Sequence, residues 1–355
     1  MQTPRALRTT ELVKELSRQG HQVTVYAVLG EYDYSAFEKE YNVKVKPVPV
    51  SFQKTPYSSD GVKKRALSDK VLGRLLGKVS MFPDIEFLFS VSKIIKKEEK
   101  FDVLISIANP HPIHWGCAKA KEKLPNKFPK TWIADCGDPF MKNGKTKDHF
   151  FYFEKYERAF CKAADYISVP TKLAREAYYE EYRDKIKVIP QGFNFNLNKE
   201  NKIPKNKITT FAFTGTFLKD IRNPKLFLDY LVRRKDNFKF IIYTQHTTLI
   251  DAYRNILKEK IEIRNYISRN ELLPILSEMD FLLNLENVNS PNQTPSKLID
   301  YAITNRPILS INPNNLAIDK IDAFFNKNYS KKLIIEDLNQ YHISNVVNKF
   351  LNLVN

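Results

Sequence analysis

The chain has 355 residues, of which 57 are Lys or Arg and 40 are Asp or Glu, so its formal net charge is +17 at pH 7. This length suggests two domains, and a hydrophobic fraction of 43% excludes a wholly disordered protein. The sequence has no apolar run long enough to span a bilayer and no apolar signal core near its start. Three scattered cysteines exclude a disulfide framework and a cysteine zinc site. We therefore expect a protein of the reducing cytoplasm.

Helix-forming and strand-forming segments alternate along the chain. Residues 4–19 predict a helix, because Thr3 suits the N-cap, Pro4 suits the first helical position and Gly20 suits the position after the last turn. Short apolar segments predict strands at 23–28, 43–50, 101–107, 131–135, 166–170 and 186–190 and, after a Lys- and Asn-rich linker at 194–207, at 209–215, 238–245, 261–267, 280–285 and 306–311. Such alternation is typical of parallel sheets that helices cover on both faces.

This pattern predicts an α/β protein with two Rossmann-like, doubly wound domains that face a cleft. The N-terminal domain is expected at 1–195 and the C-terminal domain at 208–337. A final helix at about 338–355 is expected to pack back on the N-terminal domain. Ligands of such sheets bind at the carboxyl ends of the strands.

The chain begins with a helix, where a doubly wound domain normally begins with its central strand and a turn. Without that strand, its neighbours would have unpaired backbone groups, which are costly when buried. The sequence therefore predicts an incomplete N-terminal domain that lacks its first strand. We expect roughly 15–25 further residues in the native polypeptide, enough for one strand and a turn.

Residues 62–79, VKKRALSDKVLGRLLGKV, form a basic amphipathic segment. Its apolar residues recur at spacings of three and four, and Lys and Arg occupy the other side. This composition is typical of a helix that lies on an anionic membrane surface. The alternative is an ordinary surface helix whose basic residues are solvated.

The segment between the last two predicted strands contains the most informative motif. Pro295 suits the start of a helix, which places Ser296 and Lys297 in its first turn. Free backbone N–H groups and the helix dipole favour a phosphate there. Asp300 follows one turn later, where its carboxylate could accept hydrogen bonds from ribose hydroxyls.

The string PSKLIDYAITNRPIL (295–309) resembles the donor-binding element of GT-B glycosyltransferases, in particular the bacterial family-4 type. The resemblance implies that Asp300 binds the ribose of a sugar nucleotide. It also implies that Asn292 stands where the family often has an acid that contacts the donor sugar. Asn305 replaces a usual glycine and can still adopt a left-handed backbone conformation.

The segment FAFTGTFLKDIRNP (211–224) is similar to the first strand of the family's donor domain and its phosphate-facing loop. The resemblance implies that Gly215 lets the backbone approach the pyrophosphate and that Lys219 and Arg222 neutralise it. The resemblance also implies that Gln245, Tyr266 and Ile267 stand where the family forms the pocket for the base.

Two loops of the N-terminal domain follow predicted strands and should face the cleft. The stretch WIADCGDPF, with Asp135 and Asp138, resembles one that is common in these transferases. We take His111, Asp135 and Asp138 as candidate catalytic residues, and Asn109 and His114 as candidate acceptor contacts. A structural role is the alternative for each of them. The two histidines lack further matched ligands, so a zinc site is not expected.

The sequence has no Asp-x-Asp triplet, the pair that metal-dependent glycosyltransferases use to hold a cation on the pyrophosphate. We therefore expect a site without a metal ion and without a cofactor other than the donor. The resemblance implies retention of anomeric configuration, in which the departing phosphate takes the acceptor proton. Asp135 or Asp138 would serve as a general base if the reaction instead inverted the configuration.

These observations predict a glycosyltransferase that moves a sugar from a nucleoside diphosphate sugar to a saccharide acceptor. We expect that acceptor to be membrane-linked, the setting to be surface polysaccharide or lipopolysaccharide assembly, and the enzyme to be peripheral at the inner face of the membrane. The alternatives are a catalytically impaired or non-catalytic relative and a GT-B-like sugar-nucleotide epimerase. Nucleic-acid binding is disfavoured, because the basic residues lack interleaved aromatic stacking positions.

Overall fold

A computed structural model describes residues 4–52, 77, 79–137, 139–141, 150–195, 206–287 and 296–354. The chain divides into two compact units, one formed by Met1–Asn194 with Tyr341–Asn355 and the other by Phe195–Gln340. The named strands of both units pair in parallel. The predicted α/β class with parallel sheets is therefore confirmed.

The first unit has two hydrogen-bonded sheets among its described residues. One is the pair β1 (Val23–Ala27) and β2 (Val43–Pro47), and the other has the order β3 (Val103–Ile107), β4 (Thr131–Asp135), β5 (Tyr166–Val169), β6 (Ile186–Val188). Its helices, numbered in chain order, are α1 (Pro4–Arg18), α2 (Ser35–Tyr41), α3 (Phe87–Lys97), α4 (Pro112–Lys123), α5 (Glu154–Ala163), α6 (Lys172–Glu176) and α12 (Ile343–Leu351).

The four-stranded sheet is covered on both faces because its side chains alternate between two apolar clusters. Trp132 and Ala134 of β4 join the cluster that α3, α4 and α5 supply. Ile133, which points the other way, joins a cluster with Leu12 of α1 and Phe350 of α12. The apolar runs that predicted the strands are therefore buried on both sides.

The end of the chain belongs to the first unit. The Phe193 amide donates to the Tyr341 carbonyl at 2.8 Å, and the Ile343 amide donates to the Phe193 carbonyl at 2.9 Å. Beyond this connection, α12 buries Val347 and Phe350. The last helix thus completes the cover over one face of the sheet.

The second unit has a five-stranded sheet. Its order is β11 (Ile308–Ile311), β10 (Phe281–Leu285), β7 (Thr209–Thr214), β8 (Phe238–Tyr243), β9 (Ile261–Arg264). Its helices are α7 (Lys225–Arg233), α8 (Asp251–Leu257), α9 (Arg269–Ser277), α10 (Ser296–Ile303) and α11 (Ile318–Phe325).

Aromatic rings on three adjacent strands form the centre of this second unit. The Phe211 ring lies 4.6 Å from those of Phe240 and Phe281, and both pairs are stacked. These residues face each other in the β7–β8 and β10–β7 registers. Such stacking stabilises the sheet beyond the burial of apolar area.

Several strands are shorter than the sequence predicts. β2 ends at Pro47 rather than at residue 50, and β6 ends at Val188, two residues before Pro190. The amides of Val48 and Ile189 still donate to neighbouring strands, but Pro49 and Pro190 lack the N–H that would extend these ladders. β9 ends at Arg264 rather than at residue 267. In the part of the chain that the structure describes, no helix is long and apolar enough to cross a membrane.

The contact between α12 and the sheet leads to a test of stability. Phe350→Ala should lower the free energy of unfolding by about 3–5 kcal/mol, because it removes a buried aromatic side chain and leaves a cavity. The exposed Asn348 of the same helix supplies the control, and Asn348→Ala should change stability by no more than about 0.5 kcal/mol. Denaturant titration of both variants measures this. Equal effects would show that α12 does not stabilise the unit.

Candidate functional site

In the second unit, the direction in which successive strands are added to the sheet reverses at β7. From β7 the chain continues to β8 on one side, whereas β10 pairs on the other side. Such a reversal leaves a crevice outside the strand ends, and ligands of open α/β sheets bind there. Gly215 follows β7 with φ of 118°, and its amide donates to the Tyr243 carbonyl at 2.9 Å. Glycine adopts this conformation without strain.

A buried tyrosine ties α10 to this strand end. The Thr214 amide donates to the Tyr301 hydroxyl at 2.8 Å, and the Thr214 hydroxyl lies 3.1 Å from the same oxygen. Tyr301 is fully buried. The first turn of α10 is therefore held beside the end of β7. After α10, Asn305 has φ of 58°, the left-handed conformation expected from the sequence.

Two cations, Lys297 and Arg222, lie beside this turn and form no ion pair with the described residues. Lys297 places its Nζ 4.2 Å from the centre of the Phe213 ring. Neither Lys297 Nζ nor Arg222 Nε, both buried, has a hydrogen-bond partner among the described residues. Burial, followed by the positive charge of Arg222, holds the pKa of Lys297 well below its ordinary value. Burial likewise lowers the pKa of Arg222. The pair is thus prepared for an anion that would neutralise both charges.

Asp300 is paired with a cation from a neighbouring helix. Arg269 Nε donates to Asp300 Oδ1 at 2.7 Å, and about a fifth of each side chain is exposed. Burial raises the pKa of Asp300, and Arg269 acts against that shift. Arg269 is the first residue of α9, whose start is fixed by the capping box of Ser268 and Glu271. The sequence analysis did not identify Arg269, because its partner lies 31 residues away.

The other predicted donor residues lie at the periphery of the strand ends or outside the described residues. Lys219 and Gln245 are exposed, Tyr266 is exposed after β9, and Ile267 packs on the apolar core. Asn292 lies outside the described residues, as does the side chain of Ser296, the first residue of α10.

In the first unit, Asp135 holds a helix to the sheet. Arg8 of α1 donates to both carboxylate oxygens, from Nε at 2.6 Å and from Nη2 at 2.7 Å. The Ser168 hydroxyl donates to Asp135 Oδ1 at 2.6 Å. Arg8 also donates to the Pro190 carbonyl at 2.7 Å. Asp135 is fully buried, so this geometry assigns it to positioning rather than to proton transfer with an acceptor.

His114 belongs to a buried polar network. Its Nδ1 lies 2.8 Å from Ser106 Oγ, which accepts a hydrogen bond from Trp132 Nε1 at 2.7 Å. Its Nε2 lies 3.2 Å from Cys136 Sγ. Burial, followed by the charges of His111 and Arg5, holds the pKa of His114 well below its ordinary value. His114 is fully buried, so it has no exposed surface with which to contact an acceptor.

Asn109 and His111 follow β3 at the same edge of the sheet as the loop after β4. Asn109 is exposed, and the half-buried His111 ring lies 5.2 Å from that of Phe140. Asp138 lies outside the described residues. Residues 136–137 and 139–141 of its loop are described, and Glu157 binds them. This carboxylate accepts from the amides of Phe140 and Met141 at 2.6 and 3.1 Å.

Glu157 is a positioning residue that sequence reasoning missed. It is fully buried, it accepts a hydrogen bond from the Tyr179 hydroxyl at 3.0 Å, and burial raises its pKa. A glutamate gives no local sequence signal that it binds a loop 16 residues earlier. Among the described residues, no group of three or more His, Cys, Asp or Glu side chains could hold a metal ion.

Comparison with known proteins identifies the family. The model of Glycosyltransferase Family 4 matches residues 6–197, more than half of the chain. The chain belongs to glycosyltransferase family 4. No curated protein matches the sequence significantly.

Solved structures show that this glycosyltransferase has the GT-B fold. A glycosyltransferase from Rickettsia africae is 14% identical, with a TM-score of 0.66 over 99% of this chain and 94% of that one. The lipopolysaccharide outer core galactosyltransferase WaaB is 14% identical, with a TM-score of 0.62 over 98% and 95%. HepE from Anabaena, in complex with UDP and glucose, is 10% identical, with a TM-score of 0.59 over 99% and 96%. The predicted family and fold are both confirmed.

The role of Asp135 in this glycosyltransferase can be tested by stability. Asp135→Asn should lower the free energy of unfolding by about 3–5 kcal/mol, because it leaves the buried charge of Arg8 uncompensated. Asp236 supplies the control because it is exposed and its partner Arg234 also pairs with Asp322, so Asp236→Asn should cost no more than about 1 kcal/mol. Denaturant titration measures both. An Asp135→Asn enzyme that is as stable as the wild type but inactive would instead assign Asp135 to the chemistry.

Proposed function

We propose that this glycosyltransferase moves a sugar from a nucleoside diphosphate sugar to a membrane-linked saccharide acceptor, at the cytoplasmic side of the membrane, in surface polysaccharide or lipopolysaccharide assembly. Two structural neighbours support the substrate classes. HepE is seen in complex with UDP and glucose, and WaaB is a lipopolysaccharide outer core galactosyltransferase. The observation that carries the proposal is that Lys297 Nζ and Arg222 Nε are buried without a hydrogen-bond partner among the described residues.

The cation pair matches the charge of a diphosphate. A buried cation without a counter-charge is unfavourable, and the depressed pKa of Lys297 reflects that cost. A diphosphate would remove the cost by accepting hydrogen bonds from both side chains. The first turn of α10 would add backbone N–H groups. Asp300 would accept hydrogen bonds from the ribose, with Arg269 holding its carboxylate in place.

These groups also favour departure of the diphosphate. As the bond between the sugar C1 and the phosphate oxygen breaks, negative charge grows on the leaving group, and fixed cations in a buried site stabilise it. The acceptor oxygen then bonds to C1, and its proton passes to the departing phosphate on the same face. This route retains the anomeric configuration. Lys297 and Arg222 supply positive charge that a metal ion would otherwise supply, so we propose a metal-independent reaction with no further cofactor.

The membrane part of the proposal rests on the basic amphipathic segment at 62–79. Of these residues, only Gly77 and Val79 lie within the described part of the chain. The support for this part is therefore the sequence pattern and the net charge of +17.

Transfer activity tests the function. Purified enzyme should release a nucleoside diphosphate from a sugar nucleotide in a panel, faster when saccharide acceptors are added, with the sugar appearing on the acceptor. A sugar nucleotide whose sugar is inverted at one carbon, with no transfer, would support an epimerase instead. Binding without turnover of any donor would support a non-catalytic relative.

If Lys297 and Arg222 bind the diphosphate, removing either side chain should weaken the binding of ligands that carry a diphosphate. Lys297→Ala and Arg222→Ala should each weaken uridine diphosphate binding by about 1.5–3 kcal/mol, the range of charge-assisted hydrogen bonds, and should leave uridine binding nearly unchanged. Lys331→Ala, at an exposed position of the same unit, is the control. Titration calorimetry compares the two ligands. Equal losses for uridine and uridine diphosphate would place these cations away from the diphosphate.

The proposed contact between Asp300 and the ribose predicts that binding depends on the ribose hydroxyls. Wild-type enzyme should bind uridine diphosphate more tightly than its 2′,3′-dideoxy analogue, by about 1.5–3 kcal/mol, because Asp300 loses its hydrogen bonds to the hydroxyls. Asp300→Asn should reduce that difference, whereas Asp319→Asn, at an exposed position, should preserve it. An Asp300→Asn variant that still discriminates fully would show that another group binds the ribose.

A further inference from the structure

A polar network lies at the carboxyl end of β10, the strand that pairs with β7 at the reversal. Asn284 is the fourth residue of β10, and its Nδ2 donates to Ser310 Oγ on β11 at 2.8 Å. The Ser310 hydroxyl donates in turn to Glu286 Oε1 at 3.0 Å. The Glu286 amide donates to the Ile311 carbonyl at 3.0 Å. Contacts with β11 therefore hold both side chains of β10 in place.

This network determines which way the Asn284 amide is turned. A serine hydroxyl has a single hydrogen, and Ser310 donates it to the Glu286 carboxylate, which can only accept. Ser310 must therefore accept its second hydrogen bond from the nitrogen of Asn284. Because that nitrogen faces β11, Asn284 Oδ1 faces away from β11, on the side of β7.

Two amide oxygens at this strand end are buried without a hydrogen-bond partner among the described residues. One is Asn284 Oδ1, on a side chain that is only 3% exposed, and the other is Asn287 Oδ1, two residues after β10 ends. Folded proteins pair nearly all such oxygens, because a buried acceptor without a hydrogen bond is unfavourable. Two of them at the end of one strand indicate a ligand that donates hydrogen bonds.

The two oxygens lie near the cations of the donor site but differ from them in chemistry. Asn284 points to the sheet face that α10 covers, since Leu282, two residues earlier, packs in one cluster with Tyr301 of that helix. Lys297 and Arg222 require hydrogen-bond acceptors, whereas the amide oxygens require donors. An ionised diphosphate carries acceptors alone, so it would satisfy the cations and leave the amide oxygens unpaired. The sugar attached to the diphosphate carries the missing donors.

We propose that Asn284 and Asn287 accept hydrogen bonds from hydroxyl groups of the donor sugar, and that this sugar is a neutral hexose. The inference rests on the proposed function, since it requires the diphosphate of the donor at Lys297 and Arg222. A hexose presents hydroxyls, each of which can donate to an amide oxygen. A uronic acid replaces one hydroxyl with a carboxylate, which has no hydrogen to donate.

Matched sugar nucleotides test the class of sugar. Titration calorimetry of the full chain compares UDP-glucose with UDP-glucuronate and UDP-galactose with UDP-galacturonate, pairs that differ only at C6 of the sugar. The better-bound hexose nucleotide should bind at least about tenfold more tightly than its uronate, because a site that bonds a hydroxyl rejects the analogue that lacks it. Equal affinity within the pair, or preference for the uronate, would overturn the assignment to a neutral hexose.

Substitution of Asn287 tests the contact itself. Asn287→Ala should weaken binding of the preferred hexose nucleotide about three- to tenfold, the effect of one lost hydrogen bond, and should leave UDP binding unchanged. Asn287→Asp keeps an oxygen that accepts and should retain most of the affinity. The control is Asn237→Ala, at an exposed position directly before β8 and so at the opposite edge of the sheet. An Asn287→Ala enzyme that binds the hexose nucleotide like wild type would overturn the contact.

Binding of UDP separates this inference from the proposed function. Asn284→Leu should weaken the hexose nucleotide by a similar factor, and unchanged UDP binding shows that the unit is still folded. If this variant binds both ligands like wild type, Asn284 does not contact the sugar and its part of the proposal is wrong. If wild-type enzyme binds neither UDP nor any of the four sugar nucleotides, the proposed function fails and this inference fails with it.

Discussion

The hydrogen bond from the Thr214 amide to the Tyr301 hydroxyl fixes where the first turn of α10 lies. Lys297 stands four residues before Tyr301 on the same helix face, so the bond that holds the tyrosine also holds the lysine against Phe213. Together with the burial of Leu298 and Ile299, this contact holds Lys297 and Asp300 of α10 beside the strand end. It connects a buried core residue to the strand end at which ligands of such sheets bind.

The buried carboxylates of the first unit differ in their partners from the buried cations beside β7. In the first unit, both oxygens of Asp135 are engaged by Arg8, and Glu157 accepts two backbone amides and a tyrosine hydroxyl. These carboxylates are satisfied within the protein, so they organise the fold. In the second unit, Lys297 Nζ and Arg222 Nε are buried without partners among the described residues. An unsatisfied buried cation costs stability, and a ligand of opposite charge would recover that cost.

The sequence predicted those features of the fold and the site that depend on local residue patterns. Apolar runs located the parallel strands, and the string around Lys297 and Asp300 identified the family. The resemblance also indicated that Asn305, in place of the family's usual glycine, can be left-handed, and its φ is 58°. The sequence could not show which charges are paired, because the partners are far apart along the chain. Arg8 and Asp135 are separated by 127 residues, and Arg269 and Asp300 by 31. For the same reason His114 was predicted as an acceptor contact, whereas folding buries it between Ser106 and Cys136.

The central claim is that Lys297 and Arg222 bind the diphosphate of the donor, and a crystal structure of the full chain with uridine diphosphate tests it most directly. We predict that diphosphate oxygens lie within hydrogen-bond distance of Lys297 Nζ and the Arg222 guanidinium, with the ribose hydroxyls at Asp300. A diphosphate bound elsewhere, with both cations still unpaired, would contradict the account.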